Sequence, residues 1–506
     1  MTDRRRCTFP APQGLPSAIA LSSRPQAVVV GAGIAGLAAA TGLAERGIGV
    51  DVIEREEYLG GRVGAWTEQV DGVELAMNRG FHAFFRQYYN LRALLGRIDP
   101  GLSMLTSVDD YPLVDGSGRK DTFRGLPRTP PWNALVFALR SPTFRLTDLL
   151  KIDARAAAPL AAVSLPKIFD RLDHVDAETF LKSINFPEAA RHLAFEVFSR
   201  SFFASPAELS AAELATMFHI YFLGSSEGLI FDVANSNFDT ALWEPLRQYL
   251  LGLGVRFHQG ISVSSVSNSE RRTFRVHTDT GDRLEADAVV LATDIAGLQR
   301  IVEASPGLGD DLWRVRVKRL RTAPPFVVQR LWLDSPVASG RAAFLGTSGR
   351  EPVDNISVLD RYERQATDWA RRSGGSVVEL HSYAVQSPQS SDAMIRQLRA
   401  LYPETRSARI VHQRTLRHHD CPLFAPGAYA YRPGVVTPHP GLMLAGDAVR
   451  IDLPVALMER AATTGWTAAN EILQRWGLAG HELSTVPTRG RSALRYLADR
   501  DRLSHR

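Results

Sequence analysis

The feature that most constrains this chain is Gly31-Ala32-Gly33-Ile34-Ala35-Gly36, set between two segments of opposite pattern. Gln26 to Val30 is a short run of apolar, mostly β-branched residues and reads as a buried strand. Leu37 to Arg46 is Ala-rich and reads as a helix, stopped by Gly47. Gly49 to Ile53 is a second buried strand, ending at Glu54, so one βαβ unit fits within about thirty residues. In such a unit the first glycine allows the tight turn, the second lets a pyrophosphate approach the backbone, and the third lets helix and sheet close up. The helix start then offers free N–H groups to the phosphates. Glu54 can accept both ribose hydroxyls of an adenosine, with Arg55 beside it. A carboxylate there repels a 2′-phosphate, which disfavours NADP.

Later segments choose between NAD and FAD. Gly60-Gly61-Arg62 follows Glu54 closely, and Arg62 can neutralise a pyrophosphate. Leu291-Ala292-Thr293-Asp294 ends a buried strand, and Leu444-Ala445-Gly446-Asp447 ends another ahead of a helix, where Asp447 can bind a ribityl hydroxyl. This order of elements specifies FAD, with Gly31 to Gly36, Glu54, Arg55, Gly61, Arg62, Ala292, Thr293, Gly446 and Asp447 as its contacts. The sequence holds no second dinucleotide loop, so no separate NAD(P)H domain is expected.

At 506 residues, 45% of them apolar, the chain exceeds one ordinary domain. The expected division gives 25–95, 241–300 and 425–480 to FAD binding, and 96–240 and 301–424 to substrate. Residues 1–24 are expected to be a flexible basic leader and 481–506 a basic tail. Arginines in these ends supply the excess charge and leave the body mildly acidic, which argues against nucleic acid and for solvated ends or an anionic lipid surface. Two cysteines exclude a disulfide framework, an iron–sulfur cluster and a structural zinc site, and suit a reducing cytoplasm. The longest apolar stretch, Ala27 to Ala44, reads as strand, turn and helix rather than a membrane span.

Elsewhere the pattern gives a helix near Leu242–Gly252, strand material over Val255–Val266, and a hairpin from Thr273–Thr278 and Arg283–Ala286. Ala288–Ala292 and Gly441–Ala445 read as buried strands and Leu457–Trp476 as a long helix. Ala177 to Leu223 reads as helical and rich in aromatics, suiting a cavity for a large apolar ligand. Residues 301–424 carry no clear motif. His418 and His419 are adjacent on a strand and point to opposite faces, so no metal is expected.

Gly31 to Arg62 resembles the amine oxidase and carotene desaturase superfamily of flavoproteins. Arg79-Gly80-Phe81-His82-Ala83-Phe84-Phe85 with Tyr88-Tyr89-Asn90-Leu91, and Phe218 to Ser225, resemble elements of plant-type phytoene and ζ-carotene desaturases. Arg86, and Asn78-Arg79, depart from that pattern. The stretch from Met77 to Arg92 and the ending from Met458 to Asn470 are most similar to the carotene desaturase/methyltransferases, which turn a β-ring into an aromatic φ- or χ-ring. The resemblance spans roughly 25–475, with gaps at 301–410. It implies an α/β fold, a Rossmann-type FAD domain interleaved with an α+β substrate domain as in amine oxidases and GDP-dissociation inhibitors. It further implies that Val263 meets the adenine and that Met458 and Ala461 lie beside the flavin ring.

The implied reaction is the conversion of a β-carotene ring to a φ-type ring. A quaternary ring carbon cannot join an aromatic sextet, so one methyl must migrate and two two-electron oxidations must occur. His82 has a suitable pKa range for the proton work; Arg79, Glu459 and Asp452 follow it. A lipophilic carotenoid implies peripheral attachment of a cytoplasmic protein to a membrane, with the apolar, proline-broken stretch 130–166 as the substrate's way in. The electron acceptor is expected to be a quinone or oxygen. The alternatives are a desaturase of linear carotenoids, an amine oxidase, and a non-catalytic binding protein of the GDP-dissociation-inhibitor kind.

Overall fold

The computed structural model describes residues 3–489 apart from 71, 146, 148–149, 188–201, 270–272 and 387–390. Five parallel strands form its dinucleotide sheet, in the order Arg256–Gln259, Gly49–Glu54, Gln26–Val30, Ala288–Leu291, Leu442–Leu444. Every residue of Gly49–Glu54 and Ala288–Leu291 is buried, as continuous apolar runs require when both sheet faces are covered. The helix Ile34–Ala44 begins three residues before the pattern placed it, because Gly33 takes the N-cap position and Gly36 is absorbed into the first turn. Gly31 turns the chain with φ +99°, and a Cβ there would lie 2.6 Å from the Ala292 carbonyl oxygen. The helix Leu457–Arg475 packs against Ile34–Ala44 backbone to backbone: a Cβ on Gly465 would meet the Ala35 oxygen at 2.2 Å.

The strand material expected over 255–266 splits at Gly260. Arg256–Gln259 joins the parallel sheet, and Val263–Asn268 starts an antiparallel sheet with the hairpin Phe274–Thr278 and Arg283–Ala286. Residues 301–424 supply most of a seven-stranded sheet, ordered Ile410–His418, Phe326–Leu333, Ser376–Ser382, Asn355–Val358, Phe344–Thr347, Leu113–Val114, Lys120–Asp121. The chain thus passes repeatedly between the two units, as an interleaved α/β architecture demands.

Three expectations need correction. The leader is not free: Cys7–Phe9 pairs antiparallel with Leu483–Thr485, and the buried Asp3 carboxylate accepts from Ser225 Oγ at 3.0 Å and the Ser226 N–H at 2.8 Å. The hairpin Ala65–Val70 and Val73–Asn78 falls within the segment assigned to FAD, yet Leu75 and Met77 bury against Trp332 and Val377 of the large sheet and Trp369 of the helix Arg364–Ser373. The expected helical run from Ala177 to Leu223 contains Ala177–Ser183, Ala211–Phe218 and a π-turn over His219–Gly224. Phe195 and Phe198 within it, and the tail from 490, lie outside the described residues.

Candidate active site

A cavity of about 1000 Å³ begins at the dinucleotide loop and continues between the two units. Its first part follows the motifs. Gly31, Gly33, Ile34 and Ala35 line it, while Ala32 and Gly36 do not. Glu54 lies at the strand end, where Oε2 accepts the Ala32 N–H at 2.6 Å and Oε1 the Glu56 N–H at 3.0 Å. Burial raises the Glu54 pKa against these two donors. Arg55 pairs with Asp294 at 2.9 Å, and Asp294 caps the next helix by accepting the Gly297 N–H at 2.6 Å. Gly61 and Arg62 face Gly33 and Asp447; Arg62 donates to the Asp447 carboxylate. Val263, Ala292, Thr293, Gly446, Met458 and Ala461 complete this wall.

These residues fit a dinucleotide that ends in a flavin. The helix Ile34–Ala44 has no side-chain cap, so its first N–H groups stay available to a pyrophosphate. A Cβ on Gly61 would stand 3.2 Å from the Gly33 Cα, so only bare backbone leaves the cradle open. Glu54 would hold the ribose, Arg62 and the helix start the phosphates, and Gly446, Met458 and Ala461 the ring end.

The second part of the cavity is aromatic, and the Arg79–Phe85 segment runs along it. Arg79 pairs with Asp420 at 2.8 Å, which lowers the Asp420 pKa against the effect of burial. The His82 Nδ1 lies 2.9 Å from the Gly80 oxygen, the geometry of an Nδ1–H donor, which leaves Nε2 as the acceptor. Burial pulls the His82 pKa down to about 4, only partly offset by the Gly80 carbonyl. The other two proton candidates lie elsewhere. The Glu459 carboxylate accepts the Asn90 N–H at 2.8 Å and the Leu91 N–H at 2.9 Å, anchoring the start of helix Tyr89–Leu95 rather than facing the cavity. Asp452 accepts from the Tyr429 hydroxyl at 2.5 Å and also stays outside the cavity lining.

A family model for flavin-containing amine oxidoreductases matches residues 34–473. The chain belongs to this family. As a flavin-dependent oxidoreductase it uses FAD. It is 56% identical to a carotenoid φ-ring synthase from Streptomyces griseus, over 98% of this chain and 96% of that protein. A carotenoid φ-ring synthase from Chlorobaculum tepidum is 27% identical over 93% of this chain and 92% of its own length. Among solved structures, an oxidoreductase from Methanosarcina mazei superposes with a TM-score of 0.63 at 17% identity, covering 87% of this chain and 99% of that one.

Sequence reasoning missed the support beneath the Arg79–His82 segment of this amine oxidoreductase. His381 lines the cavity under it: Nε2 lies 2.8 Å from Glu379 Oε1, and Nδ1 lies 2.9 Å from Asn355 Nδ2. Glu379 in turn receives two hydrogen bonds from Arg330, at 2.9 and 2.7 Å. Burial works to raise the Glu379 pKa, but Arg330 and His381 pull it down to about 2. Asn78, just before the segment, donates to Glu363 at 2.7 Å, and Glu363 lies 3.6 Å from Arg330. Alternation along Ser376–Ser382 puts Glu379 and His381 on one face, which was the available signal.

Proposed function

We propose that this enzyme oxidises the β-ring of a carotenoid to an aromatic φ-type ring. The observation that carries the reading is an aromatic-walled cavity continuous with the FAD cradle, in a chain 56% identical to a protein named for that product. The ring must give up two hydrides and two protons and shift one methyl from its quaternary carbon to the neighbouring carbon. The bound flavin supplies the oxidation by taking up a hydride in each of two rounds, with a quinone or oxygen as the final acceptor.

The protein's share is orientation, dryness and proton handling. Arg79 and Asp420 fix one end of the Arg79–His82 segment, and the His82 Nε2 accepts the protons the ring releases. At neutral pH His82 is uncharged and ready, because burial disfavours its cation.

Substrate delivery is proposed to occur from a membrane by a peripherally bound cytoplasmic protein. Among the described residues no helix is long and apolar enough to cross a membrane. Helix Trp132–Arg140 instead presents Trp132, Leu135 and Leu139 on one exposed stripe, while Phe137 packs inward on Phe123 with ring centroids 4.9 Å apart. Leu150 is 79% exposed nearby in sequence, and Arg128, Arg140, Arg145 and Lys151 flank the apolar side chains. Phe123, Leu126, Pro127 and Asn133 belong to the cavity wall, so this helix stands where a lipid-borne substrate would arrive.

Holoenzyme given β-carotene in anionic vesicles with a soluble quinone tests the reading. The expected product has lost four hydrogens per converted ring while keeping every carbon. Unchanged β-carotene with flavin bound, or conversion of lycopene precursors alone, overturns it.

A further inference from the structure

The inner part of the cavity holds more aromatic surface than a greasy slot needs. Phe81 and Phe85 from the Arg79–Phe85 segment converge there with Tyr111 and Phe231. The Phe231 ring lies 6.1 Å from Phe81 at an interplanar angle of 73°, 6.1 Å from Tyr111 at 74°, and 5.3 Å from Phe85 at 54°. The rings therefore pack on one another about Phe231 as one aromatic cluster, and that cluster forms part of the cavity wall. Phe81, Phe85 and Tyr111 remain only half-buried, because one side of each borders the cavity. His82 lines the same cavity next along the chain, with its ring packed edge-on to Phe238 at 5.7 Å.

We infer that the ring end reacts against this aromatic wall, and that its π-faces stabilise the positive charge on which the methyl shift depends. The inference rests on the ring-aromatising reading above. Loss of the first hydride and then a proton leaves a ring diene with both methyls still on the quaternary carbon. Loss of the second hydride places positive charge on the carbon next to the quaternary one. The methyl moves there with its bonding pair, and the charge passes to the former quaternary carbon. The proton on the newly methylated carbon then leaves to His82, and its C–H electron pair closes the sextet. In all, two hydrides pass to the flavin, which an external quinone or oxygen reoxidises, and in each of the two rounds one proton passes to His82 Nε2 and is released to the reduced acceptor before the next. Carboxylates close to the ring could instead trap such a cation covalently. Aromatic faces stabilise it without bonding to it.

The test replaces Phe231, and separately Phe81, with mono-, di- and trifluorophenylalanine in the holoenzyme. Fluorine withdraws charge from the π-face and barely alters shape. The expected result is a stepwise fall in aromatic product formed per bound flavin, reaching about tenfold for the trifluoro ring, with KM for β-carotene little changed. The Phe231→Leu variant should fall at least as far, and Phe231→Trp should recover. A flat fluorine series overturns the inference even where Phe231→Leu is inactive, since only packing would then matter. Wild-type holoenzyme that makes no aromatic ring overturns the reaction first, and the role of the aromatic wall with it.

Discussion

At the scale of single residues, His82 and Glu459 show how environment reassigns groups that look alike in sequence. Both are titratable, and both fall in segments that resemble family elements. His82 borders the cavity with one ring nitrogen committed to Gly80, whereas Glu459 spends both oxygens on backbone N–H groups of Asn90 and Leu91. His82→Gln is expected to cut turnover by about 10² to 10⁴ while leaving flavin content intact, measured as product per bound flavin. Because the folded pKa of His82, about 4, lies below the ordinary 6.5, the folded chain binds fewer protons than the unfolded one between those values. Its contribution to stability is complete above that window and is lost as pH falls through it. Turnover should therefore be level above pH ~6 and decline towards pH ~4, and a histidine-dependent decline centred near 6.5 would contradict the buried setting. Glu459→Ala should instead cost about 1–3 kcal/mol of stability, seen as a lower Tm, with turnover per bound flavin unchanged. Sequence could name both residues, but not tell them apart, because the partners of Glu459 lie 369 and 368 positions away.

At the scale of elements, legibility follows the range of the interactions that define each one. The dinucleotide unit was readable because strand, turn and helix each declare themselves within a few residues: β-branched runs, glycines, then alanines. The seven-stranded sheet was not. Its strand Phe326–Leu333 is buried throughout but contains Gln329 and Arg330, which interrupt the apolar run and read as surface. Arg330 is tolerated there because Glu379 and Glu363 neutralise it, and Glu379 arrives from 49 positions away. Arg330→Met should therefore strand two buried carboxylates, and loss of soluble protein or a large drop in Tm is the expected outcome. The leader was misread for a similar reason, since the strand that pairs with Cys7–Phe9 sits near the other end of the chain. Helix Trp132–Arg140 carries a different prediction. Replacing Trp132, Leu135 and Leu139 together with serine should abolish sedimentation with anionic vesicles and leave Tm and flavin content near wild type, because the substituted side chains are already 44–59% exposed. Unchanged vesicle binding would remove this helix from the proposed path of the substrate.

At the scale of the whole molecule, the cofactor site is also the seam. The cradle draws on strand ends from 30 to 447 and on the helix at 457, and the second half of the same cavity is walled by the large sheet and its loops. Neither unit encloses the cavity alone. A ligand that binds only the folded chain stabilises it by mass action, by about 2.7 kcal/mol at a free concentration one hundred times its Kd. FAD should therefore act as a structural ligand as well as a cofactor. Flavin-stripped protein should melt lower than holoenzyme, and titrating FAD back should raise Tm progressively with concentration. Gly36→Val gives the counterpart. A Cβ at that position would sit 1.8 Å from the Gly31 oxygen, so the loop cannot keep its course while helix and sheet stay packed. That variant should be colourless, and added FAD should leave its Tm where it was. If it bound flavin normally, the glycine loop would not be what joins the cofactor to the fold, and the link from this sequence motif to the cavity would fail at its first step.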